Sequence, residues 1–353
     1  MAQVLGRFTE REILAQPQAW ERVLDETART GEAFRHLWQS AAPEQILLTG
    51  CGSSYYLAIA AAPILQRRLG VPCRAWPSSE LLFAPEDAVT GPRPPLLIAV
   101  SRSGETTETV WAAKRLRDRG AVTVAVTCAA GGPLIQASQL GFVLPVEERS
   151  IVMTGSFTSL LLALVHLAAG LAGDAHLGAE LRKTPAVAAA ELDRLSDHAL
   201  GCVDAARFFV YLGSGPMFGI ACEGALKMTE MALIPGCAYH TLEYLHGPKA
   251  AASPDTVVIG VLSQRGAAHE REVLRQVAAL GARVIAVGES VDGVAALPLP
   301  VPVGSVPAML LGGIWMQWLA LHAARARGLD PDVPRFLQAV VTWDGFPQEG
   351  GEG

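Results

Sequence analysis

The chain has 353 residues, half of them hydrophobic, with 18% charged residues and a formal net charge of −6. That length suits two ordinary domains, or two lobes sharing an interface, each able to bury a core. The sparse, slightly acidic charge forms no basic stripe, which argues against a nucleic-acid partner.

Six cysteines at positions 51, 73, 128, 202, 222 and 237 form no C-x-x-C pair and stand at no metal-ligand spacing to a histidine pair. They read as small buried residues in a reducing cytosol, and no metal is expected. The opening stretch MAQVLGRFTEREILAQ lacks the apolar core of a secretion signal, so a cytoplasmic location is expected. Residues 9–38 are polar with apolar positions at helical spacing. Thr9 is a candidate N-cap, with Glu12 three residues on. A strand, EQILLTG, then meets a glycine-bearing turn, GCGSS, and a helix, YYLAIAAAPILQRRLG. After it come PCRAWPS, the apolar run LLIAVS, the loop SRSGETTET opening another helix, then AVTVAVT and GFVLPV. Strands alternating with helices imply a mostly parallel sheet covered on both faces. Two apolar stretches, 156–173 and 306–324, approach the length of a membrane span. Each carries a histidine and small or polar residues, and neither has basic flanks on one side. They read as helices buried against a sheet, with no membrane partner.

The pattern then restarts. RFFVYLGSGPMFGIACEGALKM echoes QILLTGCGSSYYLAIAAAPIL, and TVVIGVLSQRGAAHEREVLRQVAALGARVIAVGE echoes PLLIAVSRSGETTETVWAAKRLRDRGAVTVAVT. ALPLPV echoes FVLPV, and a long apolar helix follows each. An internal duplication with a period of roughly 160 residues predicts two like lobes. The expected fold class is α/β, with two similar three-layer lobes, each a mostly parallel sheet flanked by helices. The expected organisation is an N-terminal helical segment (1–40), a first lobe (41–175), a helical connector (176–200) and a second lobe (201–353). The copies differ at one loop: SRSGET in the first, LSQRGAAH in the second, which lacks the hydroxyl pair. The first loop therefore reads as a specialised site.

In an open α/β sheet, ligands bind beyond the carboxyl ends of the strands. A helix N-terminus there offers free N–H groups and partial positive charge, which suits an anion. Ser101, Ser103 and Thr106 add hydroxyl donors, Gly104 lets the backbone approach, and GCGSS adds Ser53 and Ser54 from the neighbouring strand end. G-x-x-x-x-G-K is absent, and neither GCGSSYY nor GSGPMFG fits G-x-G-x-x-G. On these residues alone, ordinary N-capping by serine and threonine remains the alternative.

TGCGSSYYLA, SRSGETTET, ERSIVMTGSFTS and LGSGPMFGIACEGALKMTEMALIPGCAYHTLEYLHGPKA, in this order and spacing, resemble the SIS (sugar isomerase) domain family over residues 9–343. The likeness is to the isomerase half of glucosamine-6-phosphate synthase and to SIS-type amino-sugar-phosphate deaminases. MTGSFTS and HGPK lean toward the deaminase and tagatose-phosphate isomerase branch. The resemblance implies a phosphate loop made of Ser101, Arg102, Ser103 and Thr106, with Ser54 from the preceding turn.

Glu223, Lys227 and Glu230 share one face of a predicted helix whose opposite face carries Ala221, Ala225, Met228 and Ala232. Buried charges on one face need partners or a task. By resemblance, Glu230 moves a proton between C1 and C2 of an open-chain sugar, with Lys227 one turn away to orient it. His246, in EYLHGPK, opens the sugar ring and enters the site from the neighbouring subunit of a homodimer, while Glu243 steadies its loop. Ser53, Glu223 and Thr154 are further expected substrate neighbours.

Three departures from the family pattern bear on the chemistry. Ala339, in PRFLQAVV, stands where the synthase carries a Schiff-base lysine. The start MAQVLG lacks the synthase's glutaminase domain, so glutamine-dependent synthesis is not expected. Met153 replaces a hydroxyl-bearing residue of some relatives. The expected activity is a deaminase/isomerase of a 2-amino-2-deoxyhexose 6-phosphate, without a cofactor. An aldose–ketose isomerase, a deglycase acting on a glycated amino acid phosphate, and a sugar-phosphate-binding regulatory module are the alternatives.

Overall fold

Two helices, α1 (Arg7–Leu14) and α2 (Gln16–Ala41), precede the first sheet in the computed structural model, which describes residues 4–203 and 206–343. Then follow β1 (Ile46–Gly50), α3 (Ser53–Leu69), β2 (Cys73–Pro77), the short helices α4 (Ser78–Phe83) and α5 (Pro85–Ala88), and β3 (Leu96–Ser101). The first half continues with α6 (Thr107–Asp118), β4 (Val122–Thr127), α7 (Pro133–Gln136), β5 (Leu140–Val143) and α8 (Gly155–Ala172). A long helix, α9 (Ala175–Cys202), leads into β6 (Phe208–Gly213), α10 (Pro216–Ala232), β7 (Gly236–His240), β8 (Thr256–Val261), α11 (Ala267–Ala279), β9 (Arg283–Gly288), β10 (Ala295–Pro298) and α12 (Val306–Ala326).

All strand pairs of the two five-stranded sheets are parallel, with orders β2-β1-β3-β4-β5 and β7-β6-β8-β9-β10. The orders superimpose strand for strand, so the duplication read from the sequence is a duplication of topology. Central strands such as LLIAVS and TVVIGV are buried along their whole length because helices cover both faces. The order reverses between β1 and β3, and the crevice beyond their carboxyl ends is the switch point where ligands bind in such sheets.

The strand β7 is absent from the sequence-based expectation. GCAYH is short, lies at a sheet edge and carries little apolar patterning. It is nonetheless the counterpart of β2. Thr9, expected as an N-cap, lies inside α1 and is buried; the helix is flanked by Gly6. The free N–H groups of Phe8 and Thr9 are taken instead by Asp332, and that of Gly6 by Asp330.

Helices α8 and α12 are long and apolar enough to cross a membrane, yet 78% and 94% of their apolar windows are buried inside the protein. They are the centre of one continuous hydrophobic core that also takes in α3, α10 and both sheets. The halves meet most closely where α3 crosses α10. A Cβ at Gly219 would come within 2.5 Å of Tyr56 O and Ala60 N, so only glycine permits this backbone contact.

Candidate active site

The two G-x-G turns are built alike. Gly52 and Gly215 flank the first residues of α3 and α10 with φ/ψ of 54°/−127° and 56°/−129°, a region closed to other residues. Each turn aims a helix N-terminus at its crevice. In the first half the turn presents Ser53 and Ser54. Both are buried. Among the described residues the Ser54 hydroxyl meets only the weak acceptor Met153 Sδ, at 3.9 Å.

The loop after β3 forms a hydroxyl cradle. Ser101 Oγ lies 3.5 Å from Ser103 Oγ and 3.3 Å from Thr106 Oγ1, and accepts the Gly104 N–H at 3.1 Å. Ser103 Oγ accepts the Glu105 N–H at 3.2 Å. Gly104 holds φ 67° to let the loop fold back, and α6 begins directly after Thr106. Hydroxyls and helix N–H groups thus converge beyond the end of β3, which is the donor set an anion needs. A cleft of about 350 Å³ opens beside the loop between Ser103, Cys128, Arg149 and Ala339.

Arg102 does not join this cradle through its side chain. Its guanidinium reaches Glu148 at 3.3 Å and the carbonyls of Ser150, Ile151 and Ala339 at 3.0–3.3 Å. Any part Arg102 takes in the loop is therefore through its main chain, because the fork is already filled by protein acceptors. Thr154 is likewise engaged. It is fully buried, and its hydroxyl and N–H both donate to Glu148. Sequence reasoning missed Glu148 altogether. This carboxylate also accepts from Ser156 N–H at 2.7 Å and Ser156 Oγ at 2.5 Å, at the start of α8. An acid shortly before a Ser/Thr-rich helix start was the available signal.

On α10 the three charged residues do meet. Lys227 Nζ lies 2.5 Å from Glu230 Oε2 and 3.4 Å from Glu223 Oε1, and Ser53 Oγ donates to Glu223 Oε1 at 3.1 Å. The last bond spans the α3–α10 crossing and joins the two halves of the site. Lys227 is fully buried and Glu223 nearly so, while the Glu230 carboxylate keeps 19% of its side-chain surface open. Burial pushes the Glu223 carboxyl up to about 7, against the pull of Lys227. Burial pulls the Lys227 ammonium down, but the two carboxylates more than offset it and hold it above the ordinary lysine value. Glu223 Oε2 is buried without a hydrogen-bond partner among the described residues. The arrangement is a partly open carboxylate steered by a buried cation, suited to moving a proton at carbon.

His246 and Glu243 lie apart from this trio. Both are exposed on the turn after β7, and no hydrogen bond among the described residues joins their side chains to α10. Within one chain, therefore, His246 is not bonded to the trio among the described residues, while His240 stacks on Phe218 of α10 with ring centroids 3.9 Å apart. No group of three or more His, Cys, Asp or Glu side chains is placed to hold a metal among the described residues.

The SIS domain profile matches residues 41–170 and 204–296. A protein of Streptomyces coelicolor, provisionally named as a D-galactosamine-6-phosphate deaminase, is 31% identical over 92% of this chain and 91% of its own length. A glutamine–fructose-6-phosphate aminotransferase of Methanothermobacter thermautotrophicus is 28% identical over 95% of this chain, which spans only 57% of that longer enzyme. Among solved structures, glucosamine-6-phosphate deaminase from Thermotoga maritima aligns with a TM-score of 0.76 at 30% identity, covering 91% of this chain and 99% of that one. Tagatose-6-phosphate ketose/aldose isomerase from Escherichia coli aligns at 0.84 and 26%, covering 96% and 97%.

Proposed function

The chain belongs to the SIS domain family, and from that premise we propose that it is a deaminase/isomerase of a 2-amino-2-deoxyhexose 6-phosphate. The single observation that carries the reading is the bond from Ser53 to Glu223. It ties the turn beside the hydroxyl cradle to the helix bearing Glu230, so a sugar held at one end by its phosphate can present C1 and C2 to a base at the other. The names of the deaminases from S. coelicolor and T. maritima support the substrate class.

In this reading Ser54, Ser101, Ser103 and Thr106 receive the phosphate, together with the N–H of Ser53 and the opening N–H groups of α6 beyond Thr107, whose own N–H is taken by Val341 O. Glu230 removes the C2 proton of the open-chain amino aldose as O1 takes up a proton, and returns it to C1 as the nitrogen gives one up, so the aldehyde becomes CH2OH and a 2-imino ketose results. General-base help of this kind supplies about 10²–10⁴-fold. Lys227 keeps Glu230 aimed, and its charge offsets that of the carboxylate. Water adds to the imine carbon, the C–N bond breaks, and ketose 6-phosphate and ammonia leave. No lysine adduct is needed, which agrees with Ala339. His246 of a second subunit opens the ring, so the working unit is a homodimer and the enzyme acts in the cytoplasm.

The E. coli neighbour favours a second reading, an aldose–ketose isomerase. The same proton transfer serves it, with a 2-hydroxyl in place of the amine. A panel of hexosamine and hexose 6-phosphates, read for ammonia and ketose, separates the two. Ammonia from glucosamine or galactosamine 6-phosphate is the expected result. Ketose formed only from neutral sugars would replace the first reading by the second. Glu230→Gln should leave substrate affinity within a few-fold and lower turnover by at least about 10². Wild-type exchange of the C2 hydrogen with solvent in that variant would remove Glu230 from its role.

A further inference from the structure

The segment after α12 is fastened at two places. Its first part is tied to α1: Asp330 accepts the Gly6 N–H at 2.8 Å, and Asp332 accepts those of Phe8 and Thr9 at 2.7 and 2.8 Å. Its last described part lies on the phosphate loop. Ala339 O accepts from Arg102 Nη2 at 3.1 Å, Val341 O accepts the Thr107 N–H at 3.3 Å, and the Trp343 N–H donates to Thr107 Oγ1 at 3.0 Å. Between these anchors Pro334 is buried, but most of the chain stands in solvent, with Val333 73% and Phe336 88% exposed. The segment is a strap with a bare middle, and its far end covers the N-terminus of α6.

We propose that Arg102 is a positioning residue that latches this strap across the phosphate loop, with Glu148 as its counter-charge. The inference rests on the assignment of that loop to phosphate made above. The planar guanidinium offers five donors in a fixed fork, and here they serve carbonyls from two separate segments. Ser150 O and Ile151 O belong to the loop before α8, and Ala339 O belongs to the strap. Position 339 is alanine, so the strap is gripped by its main chain and needs no side chain of its own there. Glu148 neutralises the cation and is itself fixed by four donors from Thr154 and Ser156. Arg102 therefore sits between two cradle serines without being available to the anion. It holds the strap in place above the cradle and leaves the anion to the hydroxyls and N–H groups around it.

The test reads the strap and the anion separately, and neither reading needs turnover. Hydrogen exchange over residues 339–343 and binding of inorganic phosphate are measured in the wild type, Arg102→Ala and Arg102→Lys. In Arg102→Ala the Trp343 amide should exchange at least about tenfold faster, as loss of a charge-assisted hydrogen bond implies. The affinity for inorganic phosphate should change by less than about threefold, because the fork is directed at Glu148 and three carbonyls and not at the cradle. Arg102→Lys keeps the charge but not the fork, and should lose most of the strap's protection as well. If Arg102→Ala melts early, Arg102→Lys decides by the same two readings. Unchanged exchange at 339–343 together with phosphate binding weakened about tenfold or more would make Arg102 a direct phosphate ligand and end the proposal. Unchanged exchange at 339–343 in both variants would also end it, whatever the ammonia assay shows.

Discussion

The loop after β3 and the loop after β8 are the same turn with different occupants. Both run Ser-x-x-Gly, and in both the serine Oγ accepts the glycine N–H at 3.1 Å. After β8, Glu270 closes the arrangement: its two oxygens take the N–H and the hydroxyl of Ser263 at 2.7 Å each. The second half thus carries its own anion at the helix N-terminus, buried to 1% exposure. After β3, Glu108 stands at the same spacing from Ser101 but makes no hydrogen bond to it, and the serine faces Ser103 and Thr106 instead. One copy is filled from within; in the other the serine turns to neighbouring hydroxyls. The same residue type at the same spacing thus plugs one loop and leaves the other unplugged, according to where its carboxylate points.

The strongest way to break this contrast is to strip the open copy. Ser103→Ala with Thr106→Ala removes two donors to the phosphate, each worth about 1.5–3 kcal/mol when the acceptor is charged. The KM for the sugar phosphate should rise at least tenfold. An unchanged KM would place the phosphate elsewhere. Unplugging the closed copy comes next. Glu270→Ala leaves the Ser263 N–H and hydroxyl without their acceptor, at a cost of about 2–4 kcal/mol in a denaturant melt. Turnover at the other crevice should persist, and added phosphate should restore part of the lost stability. A melt like that of the wild type would show that the carboxylate is not the second copy's anion.

A smaller effect is expected where the copies touch. Gly219→Ala places a methyl against the α3 backbone and should cost about 1–3 kcal/mol by overpacking. It should also lengthen the Ser53–Glu223 bond, so turnover should fall more than KM rises. Equal loss in both would mean that the crossing only supports the fold.

The smallest effect is a pH dependence. Burial first, then the neighbouring Glu148 and Asp332 charges, push the Glu12 carboxyl up to about 7, although N–H groups of Arg149 and Ser150 pull the other way. An acid whose folded value lies above its unfolded value of about 4.5 binds more protons when folded between the two. Its stabilising contribution is complete below about 4.5 and is lost as the pH rises to about 7. Glu12→Gln should flatten that decline in Tm; the same slope in the variant would assign it to other groups, of which Glu223 has the same sign.

Much of this was legible in the chain itself. Central parallel strands read as unbroken apolar runs, and the duplication follows from order alone. The trio on α10 was visible because helical spacing puts 223, 227 and 230 on one face. What stayed hidden depends on partners far away in sequence. The direction of Arg102 is decided by Glu148 and by Ala339, the latter 237 residues on, and no local pattern announces such a pairing. Thr9 looked like a cap because Ser/Thr with a later Glu is a local rule. Its actual role is set by Asp332 and Ser150. The edge strand β7 escaped because its five residues, GCAYH, are only half-buried and lack the apolar run that marks the central strands.

The bond between Thr9 and Asp332 joins residues 323 apart. A chain emerging from the ribosome exposes the first N–H groups of α1 long before Asp332 exists. The entropy of closing so long a loop must be overcome before the strap can dock. Docking of that segment therefore belongs to the last stage of folding, after both sheets have formed. A nascent chain would therefore have its α10 trio in place while the loop after β3 still lacked its cover.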